Sequence, residues 1–196
     1  MRNEPLAGFI LRALLWLPAC FAVWYLSAPW HASLAGLLAR LVLGVYHDGL
    51  VTAIEQPGLN LAFVTNLVVH PVPGQDAILV PEVNPLLYTY GLPFFAALML
   101  ATRSRVWMLA AGACALLPFQ AWGIAFDFLV QVGMKLGPEV ATQAGVTGWQ
   151  REAVAIGYQL GTLILPSLVP VLLWAAFNRP FIANVLKRRP PEGEPP

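Results

Sequence analysis

Long apolar runs, almost free of charged residues, constrain this sequence most. They extend over Phe9 to Ala28, Leu86 to Thr102, Val106 to Phe126 and Ala153 to Asn178. A helix of about 20 apolar residues crosses a hydrocarbon core of about 30 Å. Charged residues make up only 11% of the chain, against about 25% in soluble domains. The sequence therefore predicts an all-α transmembrane protein with four membrane-spanning helices.

The basic residues predict the orientation of these spans. Three clusters fall on one side if the number of spans is even: Arg2 and Arg12; Arg103 and Arg105; and Arg179, Lys187, Arg188 and Arg189. Short loops rich in arginine and lysine face the cytoplasm. We therefore expect both termini in the cytoplasm. Arg12 lies inside the first run and is expected to extend its side chain to the inner interface.

The pattern divides the chain into four parts. Residues 1–29 hold the first transmembrane helix, and residues 30–84 form an outer segment with an amphipathic helix and a small β-element. Residues 85–178 hold three transmembrane helices with an outer loop at 135–152. Residues 179–196 form a basic cytoplasmic tail whose Pro/Glu-rich end is expected to be disordered.

The outer segment begins with apolar residues at helical spacing: Leu34, Leu37, Leu38, Leu41, Val42 and Val45. This spacing predicts an amphipathic interfacial helix that lies on the outer leaflet and buries these side chains.

The periodicity then changes to two between Leu59 and Leu67, which predicts a strand. Val51 to Glu55 is expected to pair with it across Gln56-Pro57-Gly58, and Ala77 to Val80 to add a third strand. A sheet this small is marginal alone. It must therefore rest on the helix, the membrane surface or a partner.

Polar residues near the outer ends of the spans form a candidate binding cleft. Counting along the helices places Gln120 and Gln159 at similar depth. The second run begins near the same level, and the candidate set is Asn84, Tyr88, Tyr90, Gln120 and Gln159. Two interpretations stay open: hydrogen bonds between helices, or a cleft for a ligand or substrate. Asp127 is expected at a hydrated helix end near the outer interface.

Residues typical of catalysis are scarce. Cys20 and Cys114 lie inside apolar runs, where a reactive thiolate is disfavoured. His31, His47 and His70 are expected to have surface or packing roles. We assign no catalytic residue, no cofactor and no metal site. The net charge of +1 argues against nucleic acid as a partner.

From Leu34 to Asn178 the order of elements resembles the C-terminal part of an exosortase, a bacterial protein-sorting enzyme. The stretch Val83 to Pro93, VNPLLYTYGLP, is more specifically similar to exosortase H-associated membrane proteins. In exosortases a cysteine stands where the outer strand meets the next helix, an arginine follows, and a histidine heads the last helix. Here Val83-Asn84-Pro85, Gln120 and Ile156 to Gln159 stand at those places.

The resemblance implies an accessory protein in the bacterial inner membrane that is not itself a catalyst. It would bind an exosortase-type enzyme or the substrate sorted by that enzyme. Two alternatives remain. An intramembrane hydrolase or lipid-modifying transferase would need Asp127 beside an outer histidine. A small transporter or channel subunit would need charges lining the spans.

Overall fold

The fold is mostly helical with a small sheet, in a computed structural model that describes residues 4–72 and 74–187. Arg2, Arg188, Arg189 and the tail from Pro190, for which disorder is expected, lie outside the described residues.

The first helix, α1, is a single element from Glu4 to Tyr46. The expected break between a membrane span and a separate interfacial helix is therefore wrong. Pro29 lies inside the helix, and its carbonyl oxygen accepts bonds from Nε2 of Gln56 at 2.9 Å and Oγ of Ser33 at 2.9 Å. The bond from Gln56 ties the helix to the outer segment at the point where the proline would favour a break.

The face of α1 that is buried also differs from the prediction. The buried residues in the outer part of α1 are Ala28, Ala32, Ala35, Gly36, Ala39 and Leu43. Of the predicted apolar face, Leu38 is partly buried against the same core, whereas Leu34, Leu37, Leu41, Val42 and Val45 are exposed. Small side chains allow close approach: a Cβ built on Gly36 would lie 2.8 Å from Cδ1 of Leu61. Close packing of the sheet thus buries the alanine face and leaves Leu34, Leu37 and Leu41 exposed.

The outer segment contains five strands: β1 Val51–Glu55, β2 Leu61–Thr65, β3 Val68–Val72, β4 Gln75–Ile78 and β5 Glu82–Val83. One sheet has the order β1-β2-β5, and β3 pairs with β4 in a separate hairpin. The expected antiparallel pairing of β1 with β2 is confirmed.

The expected third strand, Ala77 to Val80, is divided between two partners. The Thr65 amide of β2 donates to the Leu79 carbonyl at 3.3 Å, as expected, but Ala77 and Ile78 pair with β3. Part of that stretch lies in β4, which pairs with β3, while β5 completes the three-stranded sheet. Thr65 marks the point where the two sheets separate. Its hydroxyl accepts from the Leu67 amide at 3.1 Å and donates to the Leu79 carbonyl at 2.6 Å.

The remaining helices follow the sheet. They are α2 Leu86–Thr89, α3 Gly91–Ala101, α4 Val106–Val130, α5 Pro138–Gln143, α6 Trp149–Gln159, α7 Leu165–Phe177 and α8 Arg179–Lys187. Gln131–Lys135 extends α4 as a π-helical turn, and Leu160–Ile164 joins α6 to α7 in the same way.

Three helices are long and apolar enough to cross a membrane: Leu6–Tyr46, Val106–Lys135 and Trp149–Phe177. The apolar stretch Leu86–Ala101 is shorter, so length alone does not make it a fourth span. No residue of α3 is exposed in the structure. Each residue of α3 is thus buried or half-buried against the neighbouring helices.

The described members of the three basic clusters, Arg12, Arg103 with Arg105, and Arg179, belong to segments that meet at one end of the helices, called here the inner end. Nε of Arg12 donates to the carbonyl of Ala101 at 3.0 Å, at the end of α3. A cation at a helix C-terminus is favourable because the last carbonyls carry partial negative charge. Oγ of Ser104 donates to Oδ1 of Asn178 at 2.8 Å. The side chain of Arg12 thus contacts the end of α3, next to the Arg103–Arg105 turn.

The outer sheet shares a hydrophobic core with the outer halves of α1 and α4. Leu43, Leu61, Phe63 and Phe128 are fully buried in it. The rings of Phe63 and Phe128 lie 5.2 Å apart. The sheet therefore rests on the helices of its own chain, which is one of the supports that its small size requires.

Candidate functional site

The candidate cleft is centred on Gln120, which lies in α4 and is only 3% exposed. Its Oε1 lies 2.8 Å from Nε2 of His31 on α1. Since an amide oxygen only accepts, the ring nitrogen of His31 donates. The expected partner, Gln159, is exposed and does not contact this pair through a hydrogen bond among the described residues. A hydrogen bond between helices is therefore present, as one of the two interpretations predicts. The partner of Gln120 is His31 and not Gln159, which depth alone predicts.

Tyr88 and Asp127 form a second buried polar group. Tyr88, in α2, is 1% exposed, and Asp127, in α4, is 8% exposed. The Tyr88 hydroxyl faces Asp127, Tyr158 and Thr162. Among the described residues this hydroxyl has no partner at hydrogen-bonding geometry. Asp127 is thus enclosed by protein, and the expected hydrated helix end is wrong.

The enclosure of Asp127 has a clear structural cause. The residues that follow it on α4, Phe128 to Val130, belong to the core shared with the outer sheet. Beyond them, Nε2 of Gln131 donates to the Glu82 carbonyl at 2.9 Å. The outer segment therefore covers the end of α4 that the sequence alone would leave in water.

A small cavity connects the two polar groups. Tyr88 and Gln120 both line it, together with Gly91, Leu116, Phe119, Leu165, Pro166 and Pro170. Its volume is about 10 Å³, about the size needed for one water molecule. Nε2 of Gln120, like the Tyr88 hydroxyl, has no hydrogen-bond partner among the described residues. The cavity as it stands is too small for an organic ligand.

The other members of the predicted set lie outside this cavity. Asn84 is exposed, and its Oδ1 accepts from the Leu86 amide at 3.0 Å, which caps the start of α2. Tyr90 is half-buried between α2 and α3. The structure thus brings Tyr88 and Gln120 together and leaves Asn84 and Gln159 accessible.

The groups that could act as nucleophile or base are separated. His31 contacts Gln120, His47 contacts the Asp48 carbonyl at 3.2 Å, and His70 contacts Asp76 at 3.0 Å. None of these contacts involves Asp127. Both cysteines are free, with Cys20 half-buried and Cys114 exposed on the helix surface. The candidate site has no paired nucleophile and base within the described residues.

His31 is a site residue that the sequence does not reveal. A position beyond the first span predicts an ordinary surface or packing role for it. The available signal is its position in an unbroken apolar stretch, since a buried imidazole must find a hydrogen-bond partner. Once α1 is continuous, His31 lies on the same side of the helix as the buried Ala28, Ala32 and Ala35.

Comparison with known proteins assigns the chain to a family. No curated protein and no solved structure matches the chain significantly. The family model described as exosortase H-associated membrane protein matches residues 3–181. The VNPLLYTYGLP motif predicts this family. Because the match covers nearly the whole chain, the chain belongs to the exosortase H-associated membrane protein family.

Proposed function

We propose that this chain is a non-catalytic accessory protein of an exosortase-type sorting system. It acts by binding the sorting enzyme, taken to be exosortase H, or the substrate of that enzyme. Its family membership supports the association.

One observation carries the non-catalytic part of the proposal. The junction of β5 and α2 is where an exosortase-like cysteine is expected, and Asn84 stands there as a cap of α2. An amide that caps a helix is neither a nucleophile nor a base. Acyl transfer through a thiolate needs a cysteine with a base beside it, and Cys20 and Cys114 lie on α1 and α4 instead.

The exposed members of the candidate cleft are proposed as partner contacts, whereas the buried members hold the helices together. Asn84 and Gln159 are accessible on the surface. Tyr88 and Gln120 line a cavity that admits no more than a small molecule such as water. The proposal thus assigns binding to the start of α2 and the last residue of α6, and packing to the interior.

An enzyme of another class is the second candidate. The burial of Asp127 beside Tyr88 is the observation that favours it, since buried carboxyl groups often mark functional sites. A hydrolase of this kind would lose its activity on Asp127→Asn. The accessory protein would keep its function in the same variant, provided that the variant folds.

We further propose four membrane crossings in the bacterial inner membrane, with both termini in the cytoplasm. Leu86–Ala101 supplies the additional crossing, because it starts after the outer sheet and ends where Arg12 and Ala101 meet at the inner end. Single cysteines in a thiol-free background test this topology. Gln75→Cys should react with an impermeant maleimide in intact spheroplasts, whereas Arg105→Cys should react only after lysis. Reaction at Arg105→Cys before lysis would contradict the topology.

Photo-cross-linking tests the association. Leu87 is exposed on α2 and follows Asn84 by less than one helical turn. A photo-reactive residue at this position should form an adduct with co-expressed exosortase H or its substrate. The variant Cys20→Ala/Cys114→Ala should retain both the adduct and the sorting activity of cells. A folded thiol-free variant that loses sorting would refute the non-catalytic role.

A further inference from the structure

One face of α1 remains apolar and exposed along almost its whole length. Its members are Leu15, Ala19, Val23, Leu26, Trp30, Leu34, Leu37, Leu41 and Val45, called here the α1 stripe. The spacing of three and four residues keeps these side chains on one side of the helix. At its outer end Val45 is 91% exposed.

The α1 stripe is longer than a bilayer can cover. Val45 lies 30 residues beyond Leu15, or about 45 Å at about 1.5 Å per residue. Covering that length with a hydrocarbon core of about 30 Å would need a tilt of about 48°, whereas transmembrane helices tilt by about 0–40°. The outer part of the stripe therefore projects beyond the hydrocarbon core.

Two features locate the outer boundary of the membrane on α1. Trp30 is 76% exposed, and exposed tryptophans concentrate at membrane interfaces. At the same level, Gln56 from the loop after β1 binds the Pro29 carbonyl, and Ser33 also contacts Gln56. Because the loop carrying Gln56 is polar and belongs to the outer segment, the outer part of the α1 stripe, from Leu34 to Val45, lies on the aqueous side of this boundary.

A positively charged residue, Arg40, lies beside the outer part of the α1 stripe and favours some binding partners over others. Arg40 is exposed and donates one bond, from Nη2 to the Thr52 carbonyl at 2.6 Å. Among the side chains that the structure describes, no carboxylate lies within salt-bridge distance of Arg40. A parallel second copy packed on this stripe would bring two Arg40 side chains together, which is unfavourable. A different chain with an acidic side chain at this level would pair with Arg40.

The edge of β1 is closed to an extended peptide by the same arginine. Thr52 is the bulged residue between Val51 and Ala53, and its carbonyl is occupied by Arg40. Bulges of this kind protect sheet edges from further pairing. The partner that fits is therefore a helix and not a strand.

We propose that the α1 stripe is the docking surface for one helix of a second membrane protein. That helix is apolar on one side, extends past the outer leaflet and carries an acidic residue opposite Arg40. This inference rests on the proposed function, because it takes the sorting enzyme as the owner of the helix. Within the bilayer only helices and closed barrels can satisfy the backbone, so contact along the membrane part of the stripe also requires a helix.

Labelling of the protein alone tests the first step. In proteoliposomes of the thiol-free protein, Leu41→Cys should react with a hydrophilic maleimide at least ten times faster than Leu26→Cys. Equal, slow labelling at both positions would show that lipid covers the whole stripe and would overturn the proposal.

Cross-linking tests the partner. A photo-reactive residue at Leu37 should form an adduct with co-expressed exosortase H, and Leu41→Ser should reduce its yield at least threefold. Ile78→Ser on β4 is the matched control, because Leu41 and Ile78 are 62% and 63% exposed, and it should leave the yield unchanged. Arg40→Glu should also reduce the yield, and circular dichroism checks that each variant folds.

The outcomes separate the two proposals. An adduct from Leu87 but none from Leu37 would leave the accessory role standing and overturn the docking surface. An adduct from neither position would remove both. Adducts from Leu37 that contain only two copies of this chain would assign the α1 stripe to self-association and overturn the heterologous helix.

Discussion

The hydrogen bond between His31 and Gln120 predicts a measurable coupling between α1 and α4. Gln120→Leu removes the acceptor of the imidazole N–H, and His31→Leu removes the partner of a nearly buried amide. Leaving a buried polar group without its partner costs about 1–3 kcal/mol. Each single variant should therefore lower the free energy of unfolding by about that amount.

The double variant His31→Leu/Gln120→Leu should cost less than the sum of the two single variants, because both partners are removed together. Side-chain hydrogen bonds between membrane helices couple by about 0.6 kcal/mol on average and by about 1.7 kcal/mol at most. We expect a value in the upper half of that range, since Gln120 is 3% exposed and water cannot replace His31 freely.

Unfolding in mixed micelles, titrated with a denaturing detergent, measures these free energies. Tyr46→Phe provides a control for the double-variant cycle. Tyr46 lies on α1, as His31 does, but far from it, and the variant removes the hydrogen bond from Tyr46 to the Gly145 carbonyl. His31→Leu and Tyr46→Phe should be additive within about 0.5 kcal/mol. Additivity of His31→Leu and Gln120→Leu to the same precision would refute the coupling.

Two further predictions concern packing and the outer hairpin. A Cβ on Gly91 would lie 2.5 Å from the Pro166 carbonyl oxygen, so Gly91→Ala should destabilise the protein by about 1–2 kcal/mol in the same titration; Gly44→Ala, with no atom within 4 Å of the new Cβ, should be neutral or stabilise by up to about 1 kcal/mol. Equal effects would contradict the close packing of α3 on α7. Gln143 binds both the amide and the carbonyl of Val68, at 3.0 and 2.9 Å, so Gln143→Ala should speed proteolysis of the β3–β4 hairpin while changing the melting temperature little. An unchanged cleavage rate would show that the hairpin does not depend on this side chain.

Hydropathy and periodicity predict the elements of this fold well, because each is a local property of the chain. The apolar runs become helices, and the alternating residues around Leu61 become a strand paired with Val51–Glu55. The association of the sheet with its own helices also follows from a physical requirement, since so few strands cannot bury a core alone.

The sequence does not show which face of each helix is turned towards its neighbours. Nor does it show which segments cover the ends of the helices. Depth along the membrane normal places Gln120 and Gln159 at one level, but depth does not specify which way a side chain points. His31 is therefore the partner of Gln120, and Gln159 is exposed. Asp127 is buried for a related reason, because the outer segment folds back over the end of α4.

The burial of alanines in place of leucines on α1 has a similar origin. The helical spacing of the leucines predicts that the largest apolar side chains face the protein. This prediction is correct where large side chains fill the space between two packed elements. Here Ala35 and Ala39 are fully buried while Leu37 and Leu41 are exposed. The small face allows the sheet and α4 to approach the helix backbone closely, and only the positions of those neighbours reveal that choice.

The same arrangement supports the proposal that α1 is a binding element. Its side chains are fixed at three heights: Arg12 binds the end of α3, His31 binds Gln120 on α4, and Arg40 binds Thr52 on β1. A helix held along its length loses little conformational freedom when a partner docks, so more of the contact energy contributes to affinity. The buried alanine face and these three bonds thus present the opposite, leucine-rich face as a pre-organised surface. For a protein that is proposed to act through contacts alone, that rigidity is the property on which its function depends.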